Sequence, residues 1–487
     1  MMTTLRILTS ICLLYTLNSC SNASSKELSD VTYFDTIDTA EAYRPMFHYT
    51  PKQNWMNDPN GMFYSDGKYH LYYQYYPEGN QWGPMHWGHS SSHDLFNWTE
   101  HDIAIYPDSV LGYIFSGSMV IDSNNLSGLG TKQNPPLIAM YTHHQSETEM
   151  QYQSISYSLD GGMTFSPYKG NPVISNPGLK DFRDPKIVWD GRQWISVLTV
   201  GQAVSFYASQ DLLHWEKLSE FQHPLGSQTG VWECPELLFF GDGNTKAILI
   251  VSVADKSPNG GSGTQYFTGK WDGTKFVSNQ EDLKWLDYGR DNYAGVTWHN
   301  APLNNDKKLF IGWMSNWKYA TKVPTYKWRS SMTIPRIVEC LHHGEHDYLV
   351  QKPHPNLKNL RKNQHPIQPV ITLNGSNTME WLFDGGQDWS ITFSSGAGDT
   401  LNIYNTADSV FIDRSLCGKV TFDESFAQIQ SAPKRKIQNQ SVRLIMDVTS
   451  IELFCEDGLT TMTSLIFPNE AFNVATTEGI EGTIYDY

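Results

Sequence analysis

An all-β protein is what this sequence predicts: a propeller of repeated blades followed by a smaller β-sandwich. Runs at helical spacing are scarce among the 487 residues, whereas short runs rich in Tyr, Val, Ile, Trp and Phe alternate with Gly, Asp and Asn. Regularly spaced strands over such a length form a sandwich, a barrel or a propeller. Internal repeats decide among the three.

The first repeat shares, in three of four copies, Ser, a one-residue gap, Asp and then a ring. "SSHDLFNW" ends at Trp98, "SLDGGMTF" at Phe165, "SQDLLHW" at Trp215 and "WDGTKF" at Phe276. Their separation of roughly 50–65 residues suits a four-stranded blade. The second repeat carries chemistry. "NDPNGMFYSDGKYHLYY", "FRDPKIVWDGRQWISV" and "WECPELLFFGDGNTKAIL" each run carboxylate, Pro, apolar strand, Asp-Gly turn, strand. The acids are Asp58, Asp184 and Glu233, although Pro235 lies two residues after its acid rather than one. Equivalent places in successive blades face a common axis, so the three acids are expected to converge. Asn57, Asp58, Pro59, Asn60 and Gly61 are turn-forming residues, which predicts a tight turn before a strand that aims Asp58.

The elements follow in order. Residues 1–20 read as a secretion signal, with Arg6 ahead of an apolar run from Ile7 to Leu17 that is too short to span a bilayer. Leu17-Asn18-Ser19-Cys20 resembles a bacterial lipobox, which implies a lipid on Cys20; an ordinary cleavable signal is the alternative. Residues 21–40 form a polar, Ser-rich tether. The expected location is the outer membrane, cell surface or periplasm of a Gram-negative bacterium. Residues 41–350 are expected to form the propeller. The repeat fades in "IPRIVECLHHGEHDYLVQKPHPNLKNLRKNQHP", which reads as a boundary with a linker at 351–370. Alternating strands such as "SITFSSG", "LNIYNTADSVFIDRS" and "SVRLIMDVTSIELFCEDG" then predict a sandwich over 371–487.

Composition narrows the function. Sixteen Trp and 26 Tyr suit a β-rich core and also sugar binding, where C–H faces lie on flat rings. A formal charge of −16 argues against a nucleic-acid partner. Cys234, Cys340, Cys417 and Cys455 lack metal-site spacing, so no zinc site is expected, and a Cys417–Cys455 bridge stays open.

Two carboxylates flanking a bond are the equipment of glycoside hydrolysis. Asp58 suits the attacking group. Glu233 suits the proton donor, because Val231, Trp232, Cys234 and Pro235 suggest an apolar shell that raises its pKa; Glu236 is a rival. Arg183 beside Asp184 reads either as a plain salt bridge or as a grip on vicinal hydroxyls.

"WMNDPNG", "FSGS", "FRDP" and "WECPEL", in that order, resemble the signature of glycoside hydrolase family 32, the invertases, inulinases and levanases. Further likeness lies in "LYYQYYP", "WGPMHWGH", "LDYGRDNYAGVTW" and "IGWMSNWKYATKVPTYKWRSSMTIPR". The resemblance implies a five-bladed β-propeller with a C-terminal β-sandwich and retaining hydrolysis of β-fructofuranosides without metal or organic cofactor. It makes Asp58 the nucleophile, Glu233 the acid/base and Asp184 the transition-state stabiliser, with the two working carboxyls ~5–5.5 Å apart. Asn57, Gln74, Trp82, Phe115, Ser116, Arg183, Tyr293 and Trp313 would line the fructosyl subsite, with Trp55 shielding it from water. The expected partner is a fructan, levan ahead of inulin. A sucrose-preferring invertase, an inverting arabinan- or xylan-cleaving propeller and a non-catalytic fructan-binding lipoprotein are the alternatives.

Overall fold

The computed structural model describes residues 41–487, apart from Thr245 and Gln438, so the signal, the tether and Cys20 lie outside the described residues. Five antiparallel sheets follow one another along the chain. Their inner strands are Asn54–Ser65, Tyr113–Ile121, Phe182–Trp189, Trp232–Phe240 and Tyr293–Thr297. Each inner strand packs against the next, and that of blade 5 packs against that of blade 1. Trp328–Arg329 pairs in parallel with Asn54–Trp55, tying blade 5 to blade 1. A ring of this kind shields both faces of each sheet, which is why strands such as Lys68–Tyr76 hold ring after ring rather than alternating with polar residues.

The Asp-containing repeat is the turn between the third and fourth strands of blades 1 to 4. Asp94 accepts the N–H groups of Phe96 and Asn97, as Asp211 does those of Leu213 and His214. The closing ring is part of the device: Trp98 Nε1 donates to Leu95 O at 2.9 Å, and Trp215 Nε1 to Leu212 O at 3.1 Å. Blade 5 closes through His343-Gly344-Glu345-His346 without this turn. The apparent boundary therefore begins inside the propeller: Arg336–His343 and His346–Pro353 are the outer strands of blade 5.

Two six-stranded sheets make the sandwich. Strand Ser409–Leu416 alternates buried and half-buried residues, as expected of a sheet with one wet face. Ser450–Cys455 is buried throughout, because its sheet also packs on the propeller, where Ile445 and Phe454 join Phe47, Met332 and Ile334. Cys417 and Cys455 both lie in the sandwich core as free thiols, so the bridge left open by the sequence is not formed.

Charge as well as apolar surface holds the two units together. His48 Nδ1 lies 2.7 Å from Asp447 and its Nε2 2.8 Å from Glu452, all three side chains being fully buried. Arg336 spans Glu452 at 2.5 Å and Asp287 at 3.1 Å. Arg414 of the sandwich pairs with Asp291 of the propeller at 2.7 Å, and Tyr319 donates to the same carboxylate at 2.6 Å.

Candidate active site

Every inner strand carries a β-bulge at the same level. Two of its residues oppose one on the second strand: Asn57 and Asp58 opposite Gln74, Phe115 and Ser116 opposite Thr142, Asp184 and Pro185 opposite Leu198, Cys234 and Pro235 opposite Val251, Ala294 and Gly295 opposite Gly312. A bulge bends its strand and re-aims side chains, here toward the propeller axis. Proline suits these places because a bulge residue has no ladder bond to donate. Asp184, Cys234 and Ala294 take positive φ of 62°, 45° and 52°, a strain of about 1–3 kcal/mol each that the surrounding blades must hold.

The bulges correct two readings of the sequence. Asn57 to Gly61 form no turn before a strand; they lie within the single strand Asn54–Ser65, which is irregular twice, at Asn57–Asp58 and again at Gly61–Met62. Gly61 sits there at φ +47°, with Trp87 only 2.6 Å from where a Cβ would be. The second correction concerns register. Asp58 is the second residue of its bulge, Asp184 the first of its own, and Glu233 the residue before one. The true counterpart of Asp184 in blade 4 is Cys234, which explains why Pro235 stands two residues after Glu233: it aligns with Pro185.

This register builds the site level by level. Arg183, Glu233 and Tyr293 each precede a bulge in consecutive blades, so their side chains meet. Arg183 donates from Nε and Nη2 to Glu233 Oε1 at 3.2 and 2.9 Å, and the Tyr293 hydroxyl donates to Oε2. One level on, the Cys234 N–H donates to Asp184 Oδ2 at 3.1 Å. At the next, Ser116 Oγ donates to Asp58 Oδ2 at 2.6 Å. Asn57 Nδ2 donates to Asp58 Oδ1 at 3.1 Å, while Asn57 Oδ1 accepts Trp55 Nε1 at 2.8 Å. Trp55 thus sets the amide's orientation. The Cys234 thiol bridges the two aspartates, 3.5 Å from Asp58 and 3.7 Å from Asp184.

The pocket so formed encloses about 340 Å³ and is lined by Asn57, Asp58, Gln74, Trp82, Phe115, Ser116, Arg183, Asp184 and Glu233. Tyr293 reaches it through its hydroxyl on Glu233. Trp313 does not. It is fully buried behind the wall, its ring 6.2 Å from Trp55 and 4.8 Å from Trp317, and Trp317 is the indole that lines the pocket. His144 and Gln151 also line it, and no motif pointed to them. His144 stacks on Phe115 at 4.6 Å, and Gln151 accepts from Arg183 at 3.4 Å. At the mouth Trp82 remains 43% exposed.

The apolar shell expected around Glu233 is not there. Neighbours along a strand point to opposite faces, and Trp232 is buried in the core between blades 3 and 4. The rival Glu236 is buried against Lys186 at 2.9 Å and Thr297, away from the pocket. Burial instead falls on the aspartates. It pushes Asp58 up to about 6, with the Glu233 charge adding to it, while hydrogen bonds from Ser116 and Asn57 hold it down. Burial raises Asp184 as well against the pull of Arg183, with Glu233 and Asp58 reinforcing the rise.

Closely spaced carboxyls at the axis of a propeller, under an aromatic rim, define a propeller glycoside hydrolase. Residues 48–353 match the glycosyl hydrolases family 32 N-terminal domain, and residues 358–483 match its C-terminal counterpart. The chain is 41% identical over 476 residues to a levanase of Bacillus subtilis (strain 168), covering 92% of this chain and 69% of that one. It is 35% identical over 531 residues to an extracellular exo-inulinase of Aspergillus awamori, covering 94% and 96%. The crystal structure of exo-inulinase from that organism superposes with a TM-score of 0.83 at 32% identity, over 92% of this chain and 99% of the other. An invertase of Schizosaccharomyces pombe is 41% identical over 309 residues, covering 60% and 52%. The chain belongs to glycoside hydrolase family 32. It is a glycoside hydrolase, and the arabinan- or xylan-cleaving alternative is set aside.

Proposed function

We propose that this enzyme is a retaining β-fructofuranosidase that removes fructosyl units from the ends of fructan chains, levan ahead of inulin. One observation carries the reading: Asp58, held by Ser116 and Asn57, and Glu233, held by Arg183 and Tyr293, open onto one pocket. In the first step the Glu233 carboxyl protonates the leaving glycosidic oxygen as Asp58 attacks the anomeric carbon and the glycosidic bond breaks. In the second, Glu233 takes a proton from water, which displaces Asp58 and frees fructose. Asp184, with Arg183 beside it, grips ring hydroxyls. Gln74 Nε2 is buried without a partner beside the pocket, a donor suited to another hydroxyl.

The buried floor of the pocket, where Asp58, Asp184 and Cys234 lie, supports chain-end action. The levanase relative, more similar than the exo-inulinase, supports levan as the preferred substrate. The lipobox-like sequence supports anchoring through Cys20, with 21–40 as tether to a cell-surface or periplasmic enzyme. Among the described residues no helix is long and apolar enough to cross a membrane.

Product analysis on levan, inulin and sucrose tests this. Levan and inulin are expected to give free fructose without intermediate oligosaccharides and sucrose to give fructose and glucose, the fructose first released in the configuration of the substrate, with the highest kcat/KM on levan. Glu233→Gln is expected to lower that value by about 10²–10⁴-fold. A ladder of oligosaccharides refutes chain-end action, inverted product refutes the roles of the two acids, and a higher kcat/KM on sucrose makes the protein an invertase.

Ser116→Ala gives a separate reading of the nucleophile. A hydrogen bond to a carboxylate contributes about 1.5–3 kcal/mol, so its loss raises Asp58 further above its present value. The acid limb of kcat/KM, expected near pH 6, moves to higher pH, while activity at pH 8 falls much less than at pH 5. An unmoved acid limb shows that another group sets it.

A further inference from the structure

Outside the catalytic pocket, the flank where blade 1 meets blade 2 carries a groove larger than the pocket itself. Two cavities of about 450 and 760 Å³ share Ala104, Tyr106 and Phe165 as their common wall, against about 340 Å³ for the pocket. Tyr106 is 59% exposed, its ring edge-on to His86 at 5.5 Å. Phe165 stands edge-on to Tyr72 at 5.8 Å, and Tyr168 continues the row on the other side. The same lining holds groups of both signs: Lys52 and Lys169, with Glu100, Asp102 and Asp108.

That mixture selects the occupant. Rings spaced by donors and acceptors suit the alternating C–H faces and hydroxyls of a sugar chain. Two cations against three acids leave only a weak field, with nothing to attract a polyanion or a strongly charged protein segment. The groove also backs onto the pocket. Strand Leu137–Gln145 turns His143 into the groove and His144 into the pocket, so a single strand separates the two. From Tyr106 the chain leads through 107–112 to the inner strand that carries Phe115 and Ser116.

We propose that this groove is a second carbohydrate site, which holds internal units of a neutral fructan while chain ends are trimmed in the pocket. The inference rests on the function proposed above. Holding the polymer raises the effective concentration of its ends without touching the bond that breaks.

The test is Tyr106→Ala combined with Tyr168→Ala in the full-length enzyme, with Tyr106→Ala alone, at an exposed ring, if the pair does not fold. The expected result is a drop in kcat/KM on high-molecular-weight levan of roughly three- to tenfold, carried by KM, with turnover of sucrose unchanged. In a native gel containing levan, Asp58→Asn protein is expected to be retarded, and the same protein lacking the two rings to be retarded much less, by its pocket alone. A gel containing dextran should retard neither. Rates on levan and sucrose that both stay the same, or that fall in parallel, overturn the second site. If the enzyme cleaves no fructan, the proposed function fails, and retardation in the levan gel still decides whether the groove binds the polymer.

Discussion

Asp58→Asn is expected to lower turnover of fructosides by about 10⁴-fold or more while leaving the protein folded and more stable than before. The loss follows because an amide oxygen cannot form and release the glycosyl ester that the proposed two-step mechanism requires. The gain follows from what holds Asp58 now. Burial, and then the charge of Glu233, raise it from 3.8 to about 6, so the folded state binds its proton more tightly than the unfolded chain. Stability from this group is therefore fullest below about pH 4 and is lost as pH rises through about 6. The amide carries no such slope. The melting temperature of Asp58→Asn should exceed that of the wild type by a margin that widens between about pH 4 and pH 6 and then levels off. A variant that keeps near wild-type turnover ends the assignment of Asp58 as nucleophile. A margin that stays flat with pH shows that the carboxylate is not held at such a cost.

Arg336→Met is expected to have the largest effect on stability. The guanidinium is 1% exposed and lies between Glu452 and Asp287, and its removal leaves the buried Asp287 without a cation and Glu452 with His48 alone. Breaking such a pair costs about 3–5 kcal/mol, enough to lower melting by many degrees, whereas a surface pair would cost less than about 1 kcal/mol. His48 adds a pH dependence to the same junction. Burial disfavours its cation, yet the hydrogen bonds to Asp447 and Glu452 push it up to about 9. Its contribution is fully present below about pH 6.5 and is lost as pH rises through about 9. Wild-type melting should fall across that interval, and His48→Gln should melt lower with a flatter profile. Equal melting of Arg336→Met and wild type would show that the Arg336 ion pairs contribute nothing to joining propeller and sandwich.

Much of the site was legible because its signals are local. Trp55 to Gly61, the Arg-Asp-Pro run and the Glu-Cys-Pro run each mark an irregular inner strand, and proline and glycine betray such places from a few residues alone. Gly117 in "FSGS" is of the same kind, since a Cβ there would lie 2.0 Å from the Met140 carbonyl oxygen. His144 and Gln151 left no such trace. They stand on the second and third strands of blade 2, in ordinary strand sequence, and reach the pocket only because the sheet is folded against its neighbours. Trp313 and Trp317 share one motif, and four residues of spacing do not say which indole lines the pocket.

By itself the sequence determined the class of fold, the repeat that builds it and the family, and it singled out three acids for the site. Each depends on composition, turn chemistry or order along the chain. Only the tertiary structure decided that those acids sit at three successive levels of aligned bulges, that Glu233 is clamped by Arg183 and Tyr293, and that Cys234 stands in the place of Asp184. The physical reason is register. One residue of slip in a strand turns every side chain to the opposite face, and the partner strands that set the slip lie tens of residues away.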